Sequence, residues 1–332
     1  MRDSNPICSR LWCACFASCA VFVLISDLAH AAQAYPTRPI RMLVGFPAGG
    51  TSDILARMLG DRLGHSLHEQ IVVDNRAGAS GNIAAELAAR ATPDGHTWLL
   101  SSGSNTVAPA LYRKLGYDPL RDFTHVTILA NVPFALVLHP SVPARSVKEL
   151  IAIAQANPRH LNFASSGIGT PAHLAGELFV SATGIQVVHI PYKGTAPAMV
   201  DLLAGRVQFY FTSFPGVLPH LQSQKLRAIA VTSAKRSVVA PALPTMDESG
   251  VPGYVAGSWY GIALPAGAPQ PIVTRLQAEI QAVVSTPEIT SRCIEQGLDP
   301  VIGVMPDAAA RFVREDVARW ARVVAQAGVK AD

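Results

Sequence analysis

Ile40-Arg41-Met42-Leu43-Val44-Gly45-Phe46-Pro47-Ala48-Gly49-Gly50-Thr51-Ser52-Asp53-Ile54-Leu55 decides how the whole chain is read. Its first five residues are mostly apolar and suit a strand. Gly45 to Thr51 cannot continue that strand, because Gly and Pro break regular structure. A helix follows from Ser52, with apolar Ile54, Leu55, Met58, Leu59 and Leu63 recurring at i, i+3/i+4. The same order recurs at 161–181. There a short strand meets Ser165-Ser166-Gly167-Ile168-Gly169-Thr170, and Pro171 opens a helix in its first turn.

Working outward, the pattern repeats. Residues 71–73 read as a strand, Asn75-Arg76-Ala77-Gly78-Ala79-Ser80-Gly81 as a second glycine loop, and Asn82 as the N-cap of a helix over 83–91. Thr92-Pro93-Asp94-Gly95 is a turn, and strand 98–100 runs into Ser101-Ser102-Gly103-Ser104-Asn105. Ser146 caps a helix to about residue 155. Strand 187–190, helix 196–204 and strand 207–212 follow. Such alternation predicts an α/β fold with parallel sheets and helices on both faces. Pro140-Ser141-Val142-Pro143 and Gly250-Val251-Pro252-Gly253 read as two crossings between lobes. After the second come three helical segments, the last over 307–326 with Phe312, Val313, Val317, Trp320 and Val324 on one face. The expected division is 35–137 with 259–332 as lobe one and 138–258 as lobe two, hinged to close on a ligand.

Composition excludes several classes. Of 332 residues, 49% are hydrophobic and only 15% charged, which is the reverse of a disordered chain. The net charge is +4, and no run exceeds two basic residues, so a nucleic-acid binder is not indicated. Charge is too sparse for a coiled coil.

The first 34 residues read as a secretory leader. Arg2 and Arg10 precede an apolar stretch from Leu11 to Leu28, and Ala29-His30-Ala31-Ala32-Gln33-Ala34 offers small-x-small cleavage sites. Cleavage is expected after Ala34, with Ala31 second. The alternatives are an uncleaved anchor and a lipoprotein modified at Cys19. Cleavage would remove Cys8, Cys13, Cys15 and Cys19, leaving Cys293 alone, with neither a disulfide nor a Cys-based metal site. The expected place is the periplasm.

Gly50-Thr51 and Gly169-Thr170 each stand at a helix start. Unpaired amides and the positive end of the helix dipole there suit a carboxylate or phosphate. Two such sites facing one cleft would hold a small carboxylate without Arg or Lys. The candidate ligand-binding residues are Phe46, Gly49, Gly50, Thr51, Asp53, Ser101, Ser104, Ser165, Ser166, Gly169, Thr170, His173, Tyr192 and Trp259. Asp53 reads more simply as a partner of loop amides than as a base, and His173 as a capping or packing residue.

Competing motifs are incomplete. Gly45-x4-Gly50-Thr51-Ser52 has the spacing of a P-loop, but Thr51 stands where the phosphate-binding Lys belongs. Gly167-x-Gly169-x-x-Ala172 lacks the later acidic residue of a dinucleotide fingerprint. Gly78-Ala79-Ser80-Gly81-Asn82 falls one glycine short of a nucleophile elbow. The histidines show no metal spacing, and no cofactor is expected.

These segments, taken in order, resemble the Bug family of extracytoplasmic solute-binding receptors of tripartite tricarboxylate transporters. Pro36-x-Arg38-Pro39-Ile40, Phe46 to Asp53, Asn75 to Asn82, Ser165 to Thr170, Pro191-Tyr192-Lys193-Gly194, Gly250 to Tyr254 and Ser258-Trp259-Tyr260-Gly261 carry the likeness. The resemblance implies a two-lobed periplasmic binding protein fold, two Rossmann-like domains joined by two crossing segments around a ligand cleft. It implies a small carboxylate ligand, often a dicarboxylate or an amino acid, with one carboxylate held by the 46–53 and 165–170 loops, and delivery to inner-membrane transporter subunits; the receptor is expected to be a monomer. A sensor subunit docking on a signalling receptor is the alternative. Gln208, Thr212 and Val255 stand where relatives commonly carry acidic or amide groups, which points away from a ligand bearing an ammonium group.

Overall fold

The computed structural model describes residues 35–237 and 240–327. The leader expected over 1–34 lies outside the described residues. The chain divides into a short unit, Met1–Thr37, and one large unit, Arg38–Asp332, which holds the fold.

In chain order the elements are β1 (Ile40–Val44), α1 (Thr51–Leu67), β2 (Ile71–Asn75), α2 (Asn82–Ala89), β3 (Thr97–Ser102), α3 (Gly103–Leu111), β4 (Phe123–Leu138) and α4 (Val147–Ala156). Then follow β5 (Asn162–Ser165), α5 (Pro171–Thr183), β6 (Val188–Pro191), α6 (Thr195–Leu203), β7 (Phe209–Ser213), α7 (Leu218–Gln222) and β8 (Arg227–Val231). β9 (Gly257–Pro265), α8 (Gln270–Val284), α9 (Pro287–Glu295), β10 (Asp299–Pro300) and α10 (Pro306–Ala327) complete it.

The strands form one path, β2-β1-β3-β9-β4-β7-β5-β6, with β8 and β10 also on β4. The outer pairs are parallel as expected, but β3–β9, β9–β4 and β4–β7 are antiparallel. The sheet is therefore mixed. The cause is β4, a sixteen-residue strand that serves both halves. It pairs with β9 up to Pro133 and with β7 from Phe134 onward. Pro133 has no N–H to give a ladder and sits where the strand changes neighbours. The chain thus passes between halves inside β4, and Pro140-Ser141-Val142-Pro143 only forms the turn after it.

Two local expectations change. α2 starts at Asn82 with left-handed Gly81 as its cap, and the Asn82 side chain instead accepts from Tyr117 Oη at 2.8 Å. The serine run after β3 is not a loop: Ser102 opens α3, and its amide donates to Asn105 Oδ1 at 2.9 Å. Ser146 and Thr170 do cap their helices, accepting from Glu149 N and His173 N. α1 buries Leu55, Leu59, Leu63 and Leu67, one stripe at i+4 spacing.

α10 ties the halves together. Trp320 and Val324 pack with Val107 and Leu111 of α3 and with Leu174 of α5. At its centre Asp316, buried, accepts from Thr106 Oγ1 (2.6 Å), Trp259 Nε1 (2.8 Å) and Arg319 Nη2 (2.7 Å). A buried carboxylate is stable only when its lone pairs are met in this way. Asp316→Ala would strand the Trp259 and Thr106 donors, so a loss of about 2–5 kcal/mol is expected. Asp316→Asn, which keeps one acceptor, should lose less. Chemical denaturation of both variants checks the order.

Candidate functional site

Four helices begin at the carboxyl ends of parallel strands: α1 after β1, α3 after β3, α5 after β5 and α6 after β6. All four starts meet at one cavity. Gly50, Thr51 and Ser52 line it from α1, Ser102 and Ser104 from α3, Pro171 and Ala172 from α5, and Thr195 from α6. Ser213, Thr212 and Tyr210 of β7, Ser258 and Tyr260 of β9, and Phe134 of β4 close the back, while Phe46 and Ser166 stand in the loops. Eleven of these sixteen residues carry a hydroxyl and none a formal charge, so dipoles alone set the potential. Helix starts make it positive. Thr212 Oγ1 is fully buried yet completes no hydrogen bond. Such an orphan is rare in folded proteins and marks a place where a polar partner belongs. The Tyr210 hydroxyl lies among those of Thr195, Ser166 and Thr212, and burial raises its pKa, so it stays a neutral donor.

The cleft is shut. Thr51 Oγ1 and Ser213 Oγ share a hydrogen bond of 2.6 Å between the halves. Ser80 Oγ donates to Ile168 O at 2.6 Å, and Tyr112 Oη to the same oxygen at 3.4 Å. Gly167, at φ 141°, allows this approach, since a Cβ there would lie 2.8 Å from Ser80 Oγ. The enclosed cavity is only about 40 Å³, far below ordinary small-molecule pockets.

Of the residues expected from sequence, Phe46, Gly50, Thr51, Ser104 and Ser166 come together in the cavity. The others do not line it. The Gly49 amide donates to Asp53 Oδ2 at 3.0 Å, and Arg57 pairs with the same carboxylate. Burial raises the Asp53 pKa, but bonds from Arg57, Gly49 and Asn75 outweigh it and hold the pKa below the usual range. Ser101 Oγ donates to Gly261 O at 3.1 Å. The Gly169 amide donates to His173 Nδ1 at 3.1 Å, and Thr170 Oγ1 to Gly167 O at 2.8 Å, so both brace their own loop. Tyr192 Oη donates to Asp201 Oδ2, and its pKa is pushed up to about 12 by burial and that carboxylate. Trp259 is buried against Phe312 and its Nε1 donates to Asp316 Oδ2 at 2.8 Å.

Sequence reading located the helix near 196 and the strand ending near 212 but did not assign Thr195, Tyr210 or Ser213 to the cavity. Gly194-Thr195 is a third Gly-Thr pair at a helix start, so the first was legible. Tyr210 and Ser213 sit in a buried strand and gave no local signal, while Thr212 was noted only as a departure from the family's pattern.

Behind the loop, His173, Glu177 and His189 bring ligand atoms within 4.8 Å of one another. His173 Nδ1 accepts the Gly169 N–H, so the neutral ring keeps its proton on Nε2, which faces Glu177 Oε1 at 3.4 Å. A ring so fixed has no lone pair left for a cation. Ser165 Oγ lies 2.7 Å from His189 Nε2, as in a nucleophile–base pair. Burial and the adjoining His173 depress the His189 pKa to about 3, which makes it a poor base at neutral pH. The two imidazoles stack at 4.0 Å, with Phe163 4.7 Å from His189.

Residues 55–329 match the family described as tripartite tricarboxylate transporter family receptor. Protein BugT of Bordetella pertussis (strain Tohama I) is 39% identical over 314 residues, 93% of this chain and 96% of that protein. Among solved structures, R. palustris Rpa4515 with adipate has a TM-score of 0.87 at 39% identity, covering 89% of this chain and 99% of that one. The periplasmic binding protein BugD has a TM-score of 0.86 at 38% identity, with the same coverage.

A depressed histidine pKa favours the neutral form in the fold. Its contribution to stability is complete above the unfolded value of about 6.5 and is lost as pH falls from there toward about 3. Melting temperature should therefore fall between pH 7 and 5, above the range where carboxylates titrate. His189→Phe should flatten that slope in part, with His125, also depressed by burial, supplying the remainder. An unchanged slope in the variant would exclude His189 as its source.

Proposed function

The chain belongs to the tripartite tricarboxylate transporter receptor family, and we propose that it captures a small organic carboxylate and presents it to a membrane transporter of that type. The observation that carries this reading is the convergence of four helix starts on a cavity lined by hydroxyls and no charge. Each hydrogen bond to an ionised group contributes about 1.5–3 kcal/mol. Three or four of them, against the cost of ordering, reach about −8 kcal/mol, a micromolar Kd.

Thr51, Ser104, Ser166 and the amides at Gly50 and Thr51 would meet the carboxylate, and Phe46 would cover it. Gly49, Asp53, Ser101, Ser165, Gly169, Thr170, His173, Tyr192 and Trp259 would act one step back, holding the loops and the hinge. A cavity of about 40 Å³ admits no ligand as it stands, so entry requires the lobes to part. The change of neighbours at Pro133–Phe134 in β4 and the start of β9 at Gly257 support a hinge close to the boundaries expected near 137 and 259. The reading includes export through a leader over 1–34 and a periplasmic location. No helix among the described residues is long and apolar enough to cross a membrane.

A thermal-shift screen of carboxylates and amines tests this. Adipate at 100 Kd should stabilise by about 2.7 kcal/mol, a rise of several degrees. Thr51→Val should weaken binding about tenfold by removing the cross-cleft hydroxyl bond. Stabilisation by amines and by no carboxylate would overturn the proposal.

A further inference from the structure

Beside the polar cavity the two halves meet through an apolar seam. Val107 and Leu111 of α3 pack with Leu174 of α5 and with Trp320 and Val324 of α10, and all five are buried. None of the five lines the cavity. α3 and the start of α5 also touch closely. A Cβ on Gly103 would lie 2.9 Å from Pro171 Cγ, and one on Gly169 would overlap Leu111 Cδ1.

The seam stands away from the end of the β4–β9 ladder at Pro133 and Gly257. The start of α3 adjoins that end, since a Cβ on Gly103 would also lie 3.1 Å from Ser258 Oγ. Leu111 is eight residues further on, about 12 Å along the helix. On α10, Asp316 accepts from Trp259 of β9, and Trp320 and Val324 follow one and two turns later. Parting of the halves about the ladder end would draw Leu174 off Leu111 and Trp320.

Burying these side chains is favourable whatever the cavity holds. One feature opposes it: Trp320 Nε1 is buried with no hydrogen-bond partner among the described residues, and parting would let water reach it. We propose that this seam is an apolar latch that closes the cleft independently of ligand, with Leu174 and Trp320 as its positioning residues. Capture then waits for the latch to part, and release waits for the same step. This rests on the reading that the lobes part to admit a carboxylate.

Stopped-flow binding of adipate and small-angle X-ray scattering, both on the full chain, test the latch. Leu174→Ala should raise the association rate constant about tenfold and the dissociation rate constant by at least as much, because more molecules are open while the cavity lining is unchanged. A side chain that only supports the fold would not speed association. Leu174→Val, a smaller truncation that keeps the fold if alanine does not, should move both constants the same way by less. Circular dichroism verifies that each variant folds. Without adipate, the variants should have a larger radius of gyration than wild type, and saturating adipate should reverse it. Association no faster than wild type in the folded variants, or equal radii without adipate, would overturn the latch. Failure of wild type to bind any small carboxylate would instead overturn the carboxylate reading, and the radii without adipate would still decide the latch.

Discussion

Four helix starts must point at one small volume, and that requirement governs much of the architecture. A helix start points where the preceding strand ends, so β1, β3, β5 and β6 must all end on the same cleft. That is possible only with two half-sheets whose carboxyl edges face each other. Helix dipoles and hydroxyls then set a positive potential without a cation in the inner cavity. Such a site avoids burying a guanidinium or ammonium, whose desolvation would oppose closure. The supporting residues follow from the same need. Asp53 fixes the Gly49 turn, Thr170 and His173 fix the Gly167–Gly169 turn, and Asp201 fixes Tyr192.

The parts of the fold legible in sequence are those whose signal is local. Glycine loops followed by amphipathic helices located the starts of α1 and α5 within a residue, and Ser146 marked its helix. β4 was not legible. Its sixteen residues form a nearly continuous apolar run, buried on both faces, and carry no period-two alternation. Missing β4 also concealed the antiparallel centre of the sheet. The cavity lining was legible where a glycine loop or helix start drew attention to it, at Gly50, Thr51 and Ser166. It was not legible at Tyr210 and Ser213, because only tertiary pairing with β4 brings the end of β7 to the cleft. Gly169, Ser165 and His173 were picked out as contacts for the right loop, yet their polar atoms turn inward to build it. Sequence can show that a loop is polar and pre-shaped, but not which of its donors are already spent.

β4 and β9 pair from Phe123–Pro265 to Pro133–Gly257, and their ladder ends side by side where β4 turns to β7. A two-strand ribbon has very unequal stiffness. Bending it out of its plane leaves every rung of the ladder intact, whereas sliding one strand along the other breaks them all. Parting of the halves for ligand entry, as proposed above, would therefore bend this ladder's end without sliding it. Thr51 must return to Ser213, and Ser80 to Ile168, at every closure. The ribbon acts as a leaf spring whose register serves as the alignment gauge of the cleft.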